Sequence, residues 1–261
     1  MSATQARQSA PYDEALFELA VRMGDNALIL GQRVSAWCGH APVLEEDIAM
    51  ANMGLDLIGQ AKLWLSLAGE IEGEDRSGDD LAFLRSGRQF RNCLLVERPN
   101  GDYAQTLMRQ FLYDAWHLPM LRGLMSSAEP RIADIAEKSS KEVAYHLERS
   151  SDLVIRLGDG TEESHRRTQA ALDALWPFAG ELTSPDEMDA EAAARGLAPD
   201  LAGLAERYDS AVRDAMTKAT LTVPEGLAVR KGGKAGLHTE DHDYILGELQ
   251  FLQRAFPGAK W

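Results

Sequence analysis

The chain has 261 residues, of which 45% are hydrophobic and 26% charged, a composition that suits a globular protein with a core large enough for one big domain or two small ones. Its formal net charge is -14, from 41 acidic and 27 basic residues, and long-range repulsion argues against a nucleic-acid or anionic-membrane partner. Cys38 and Cys93 are its two cysteines; with no CxxC they argue against a thiolate zinc site or disulfide framework and fit reduced thiols in a cytoplasmic protein.

The segment from Met1 to Pro11 lacks the charged-then-apolar order of a signal peptide, and no run of about 18 apolar residues is present to span a bilayer. Leu16, Leu19, Met23, Ala27, Leu30, Val34 and Trp37 recur in steps of three and four and predict a long helix from near Tyr12, ended by Gly39 and Pro42. A second helix starts at Pro42, with Glu45, Glu46 and Asp47 near the positive end of its dipole. Its apolar side is read as Ile48, Ala51, Leu55, Ile58 and Leu65, and its end as Gly69 or Gly73. Residues 74–101 are rich in Gly, Asp and Arg and form the expected crossover, with Pro99-Asn100-Gly101 as a turn before Asp102, an N-cap.

The third helix is predicted over 103–126, through Leu107, Phe111, Ala115, Leu118 and Leu121, with Pro119 as a kink. The fourth is predicted over 130–157, closed by Gly158. An amphipathic helix follows over 161–182, then a capping box at Ser184-Pro185-Asp186-Glu187, a helix over 200–219, a loop over 222–238 and a last helix over 239–256. Ile245, Leu246, Leu249, Leu252 and Phe256 lie on one side of that last helix. Sustained period-two alternation is absent. The expected fold is therefore all-α: one ferritin-like domain over 1–261, with a four-helix core at about 12–158 and additional helices at about 161–256.

Asp25, Asn52, Asp56, Gln60, Asp114, Glu142 and His146 fall close to the apolar stripes, where an ionisable group is costly unless paired or bound to metal. Asp56 with Gln60, and Glu142 with His146, are four residues apart and share a helix face. Asp25 and Asp56 are separated by 31 residues, Asp114 and Glu142 by 28, so each hairpin returns to the same level, as a degenerate repeat would. Di-iron carboxylate bundles use about four carboxylates and two Glu-x-x-His imidazoles. Here Gln60 stands in place of one imidazole, and His146 is one position late. These residues read as vestigial ligand positions in a buried ion-pair or hydrogen-bond network, with Lys62 and Lys141 as candidate cations, in preference to a di-metal site. No catalytic, cofactor-binding or metal-ligating residue is assigned.

Weaker candidates have simpler readings. Asp114 and His117 could bind metal or exchange protons, but an Asp–His hydrogen bond beside a core Trp accounts for the spacing. Trp37-Cys38-Gly39-His40 reads as a helix terminus with a Gly C-cap and a His at the negative end of the dipole. Arg230, Lys231 and Lys234 form a basic loop that could meet a phosphate, with a solvated loop as the default. P-loop, GxGxxG and GxSxG motifs are absent.

Longer motifs carry more specific information. Gly24-Asp25-Asn26, the run from Trp37 to Pro42, the run from Gly54 to Ala61, Phe90-Arg91-Asn92, the run from Leu95 to Gly101, the run from Tyr113 to His117, and the run from Gly232 to Glu240 closely resemble the C-subunit family of the ring 1,2-phenylacetyl-CoA epoxidase. The resemblance spans nearly the whole chain. It implies a ferritin-like, non-catalytic subunit of a bacterial monooxygenase of aerobic phenylacetate degradation. Its partners would be a catalytic subunit that holds the di-iron cofactor and binds the CoA ester, and an NADPH-dependent reductase subunit. It implies no cofactor and no catalytic residue in this chain. A silent relative can still bury a large surface against its partner, often more than about 2,000 Å². The alternatives are an autonomous ferritin-like di-metal oxidase or metal-storage protein, and a general helical scaffold.

Overall fold

The computed structural model describes residues 12–259; the signal-peptide reading of Met1 to Pro11 lies outside them. The described residues contain helices and no strand. In chain order the helices are α1 Glu14–Ser35, α2 Leu44–Glu72, α3 Gly78–Phe83, α4 Tyr103–Leu124, α5 Pro130–Gly158, α6 Glu162–Ala179, α7 Glu187–Ala194, α8 Leu201–Lys218, α9 Glu240–Leu249 and α10 Phe251–Ala255. α1 with α2, and α4 with α5, make the two hairpins of a ferritin-like bundle, joined where α2 meets α5.

Local chemistry sets most helix ends. Asp13, Asp102, Thr161 and Asp200 each accept a hydrogen bond from a backbone N–H of the first turn, which satisfies one of the donors left free there. Pro130 sits at the first helical position of α5, where its missing N–H costs nothing. Gly73 closes α2 in the left-handed region at φ +70°, a conformation glycine adopts without steric cost. Pro119 lies inside α4, which continues through it to Leu124.

Several boundaries differ from expectation. Gly158 is the last residue of α5 and Asp159 its C-cap. The box before α7 is formed by Asp186 and Asp189, not by Ser184, because Ser184 turns back to donate to the Gly180 carbonyl at 2.8 Å. The crossover over 74–101 is not plain loop: it holds α3 and a 3-10 turn, Gly87–Gln89. The last helix is broken at Gln250, whose buried side chain donates to the carbonyls of Ala82 and Arg85. Beyond the break, Leu252 and Phe256 are exposed.

The core is asymmetric. α1 and α4 are buried nearly all round, because α7 and α9 cover α1 while α6 and α8 cover α4. α5 buries one narrow seam: Ile132, Ala136, Ser139, Val143, His146, Ser150 and Val154. α2 is turned differently from the sequence reading. Met50, Met53, Leu57, Ala61, Trp64 and Ala68 face inward; of the expected face Leu65 is buried and Ile58 packs against the core, while Ile48 and Leu55 are 52% and 70% exposed. α2 carries apolar residues around most of its circumference, so periodicity alone does not select the buried face. Among the described residues no helix is long and apolar enough to cross a membrane.

Candidate functional site

The positions read from the sequence as vestigial ligands do not converge; each acid is committed to a different protein donor. Asp25, fully buried on α1, is held by Arg85 of the crossover, a bidentate ion pair across 60 residues of sequence, and by the Arg91 backbone N–H at 2.8 Å. Asp114, fully buried on α4, accepts from Gln110 at 2.7 Å and from Ser150 of α5 at 3.0 Å. Among the described residues no cation pairs with it, and burial, against those two hydrogen bonds, pushes its carboxyl well above the usual range.

Asp56 and Glu142 sit at the edge of the bundle, half-buried. Asp56 lies 2.9 Å from His146 Nε2, and Gln60 donates to Glu142 at 2.9 Å, so two polar bonds cross from α2 to α5. Burial outweighs Asp56 and holds the His146 imidazole below its ordinary range. Asn52 is exposed. The lysines expected to supply cations do not: Lys62 is exposed and Lys141 pairs on the surface with Glu137. Arg85 was the missing partner, and no local sequence signal places it against Asp25.

Two other expectations are corrected. Asp114 and His117 make no hydrogen bond; both His117 ring nitrogens are buried without a partner among the described residues. The ring packs between Tyr113 and Trp116, and burial, assisted by His146, pushes it down to about 3. The basic loop is only partly solvated. Arg230 and Lys231 are exposed, but Lys234 is tied to Asp189 at 2.8 Å and to the Ser184 carbonyl at 2.9 Å. The terminus after α1 packs as expected, with the Trp37 indole donating to Thr106 at 2.6 Å, but α1 ends at Ser35 with Ala36 as its C-cap, and Gly39, at φ +83°, lies in the turn beyond with His40 exposed.

The polar chemistry concentrates where the longer motifs meet. The run from Gly232 to Glu240 lies against residues 88–97. A Cβ on Gly233 would stand 2.1 Å from the Asn92 carbonyl oxygen, and one on Gly236, at φ +73°, 2.3 Å from that of Arg88, so only glycine permits this approach. Asn26 accepts from the Cys93 N–H at 2.8 Å. Buried Glu181 accepts from the N–H groups of Leu94 and Gly232, both at 2.7 Å. Arg109, fully buried, donates to Asn100 at 2.7 Å and to the Arg98 carbonyl; burial beside Arg33 and Arg98 pushes it down to about 9.

Glu97 is the centre of this junction. It accepts from Asn92 at 3.0 Å and from the Thr239 N–H at 2.7 Å, and it lies 2.8 Å from His238 Nδ1. His238 Nε2 lies 3.1 Å from the Phe90 carbonyl oxygen. Burial would raise the Glu97 carboxyl, but His238 and Thr239 hold it below the usual range; burial would lower His238, but Glu97 holds it above. The sequence reading missed this cluster, although His238 and His242 are four residues apart.

The family model described as phenylacetic acid catabolic protein matches residues 1–261. The chain is 48% identical over 241 residues, 92% of its own length and 97% of the relative's, to a protein of Escherichia coli strain K12 named as the C subunit of 1,2-phenylacetyl-CoA epoxidase. The chain belongs to the phenylacetic acid catabolic protein family.

Proposed function

We propose that this chain is the structural, non-catalytic subunit of a hetero-oligomeric monooxygenase that epoxidises the aromatic ring of phenylacetyl-CoA, and that a separate subunit holds the di-iron centre. The reading rests on the name of the Escherichia coli relative and on one observation above others: the Arg85 guanidinium is bonded to Asp25, so a fixed positive charge stands where a carboxylate ligand would face a metal. Iron in such bundles needs free carboxylates and two imidazoles. Asp114 and Glu142 are occupied by Ser150, Gln110 and Gln60, and His146 by Asp56. The residues present do not fit a di-iron pair, and no reaction step is assigned to them.

A surface for the partner is available. Val43, Leu44, Ile48 and Leu55 of α2 and the turn before it, with Tyr145 of α5, are large apolar side chains left exposed along neighbouring helices. Leu44, Ile48 and Leu55 recur at helical spacing, and an exposed apolar stripe of this kind supports an interaction site there. Reconstitution tests the proposal. This chain with reductase and NADPH alone should give no epoxide, the catalytic subunit with this chain should restore turnover, and Leu55→Glu should reduce co-purification while leaving the chain helical. Epoxide formed by this chain without the catalytic subunit would refute it.

A further inference from the structure

His242 is fully buried, and neither ring nitrogen has a hydrogen-bond partner among the described residues. His117 shares that property, but it packs beside the rings of Tyr113 and Trp116. His242 instead stacks on His238, ring centroids 4.0 Å apart. Ligand atoms of Glu97, His238 and His242 all lie within 4.8 Å of one another, and among the described residues they form the one such group of three.

The surroundings are those of a ligand set. His238 Nε2 faces the Phe90 carbonyl, so Nε2 carries a proton and donates, while Nδ1 faces a Glu97 oxygen at 2.8 Å. A lone pair cannot oppose a carboxylate at that distance; a proton or a cation has to stand between them. A backbone carbonyl on the far nitrogen is the usual way a metal-bound imidazole is oriented. Glu97 is itself positioned by Asn92 and the Thr239 N–H, and the buried Asn92 Oδ1 is a further polar atom without a partner among the described residues.

We propose that Glu97, His238 and His242 bind a single divalent transition-metal ion of the zinc class, through Glu97 oxygen, His238 Nδ1 and one ring nitrogen of His242. Two imidazoles and a carboxylate are a known zinc donor set, with a fourth position left to water. The stacked rings are near parallel, 13° apart, so the His242 ring must turn to aim its lone pair at the ion. That turn breaks no side-chain hydrogen bond, because the His242 ring makes none among the described residues. The bound ion would clip the segment before α9 to the crossover, joining positions 141 residues apart in the chain. The site uses none of the vestigial positions, although it borders Asp25 through Phe90 and Arg91, and it does not rest on the subunit reading.

Cobalt(II) titration of the chelator-stripped full chain tests this. Visible d–d bands of a four- or five-coordinate ion should grow to a plateau at one equivalent and be displaced by zinc. His242→Ala should weaken zinc binding by more than about 100-fold, beyond the loss of a supporting partner, whereas His40→Ala at an exposed histidine should leave it unchanged. If His242→Ala does not fold, the wild-type cobalt spectrum decides alone. A spectrum that stays that of free aqueous cobalt, or zinc binding equal in wild type and folded His242→Ala, overturns the proposal.

Discussion

Asp25 and Asp114 occupy matching places in the two hairpins, both fully buried, yet the fold treats them in opposite ways. Asp25 is given a guanidinium, an extra backbone donor and a place in the motif junction. Asp114 receives two neutral donors from Gln110 and Ser150, and burial pushes it toward its protonated form. A buried acidic position inside a bundle can thus be accommodated by adding a cation or by losing the charge. The first solution ties the crossover to α1; the second stays within α4 and α5.

The largest expected effect separates these two solutions. Asp25→Ala leaves Arg85 buried without its partner and should cost roughly 3–5 kcal/mol, a fall of roughly 10 °C in melting temperature for a chain of this size. A change of a degree or two would mean that Arg85 finds another anion or water. The next concerns the neutral interior. His117 is held at about 3 when folded, so the unfolded chain takes up its proton first as pH falls. Its contribution is fully present above about pH 6.5 and is lost toward about pH 3, at up to about 1.4 kcal/mol per pH unit. Denaturant titrations across that window should show a shallower slope in His117→Leu.

Smaller effects refine the picture. The Asp56 side chain is 36% exposed, and Asp56→Ala should cost about 1 kcal/mol, one hydrogen bond to His146. The sequence reading placed Asp56 in a buried ion-pair or hydrogen-bond network; the half-buried hydrogen bond to His146 implies the smaller of those losses. Asp114→Asn should be smallest: the neutral amide resembles the protonated acid, and stability at pH 7 should stay within about 1 kcal/mol of the parent or rise. A loss as large as that of Asp25→Ala would show that Asp114 is charged and would remove the contrast between the hairpins.

The two hairpins, the crossover and the added helices were legible because apolar spacing, Pro130 and the Asp102 and Asp200 caps act locally. The face of α2 was not, since Ile48 and Leu55 are as apolar as the buried Met53 and Leu57. The vestigial acids were visible from spacing, but Arg85 lies 60 residues from Asp25, and only folding reveals such a pair. Glu97 and His238, 141 residues apart, were hidden for the same reason, although both fell inside motifs that carried the family resemblance.

On this reading the interior acids of the bundle serve the protein and not an iron pair. Iron analysis of this chain, separated from its co-purified partner after aerobic expression, puts that to the test. We expect less than about one-tenth of an iron per chain, because a guanidinium and an amide stand where ligands and a second imidazole belong. About two irons per chain, with oxo-bridge absorption that disappears in Glu142→Ala, would contradict it.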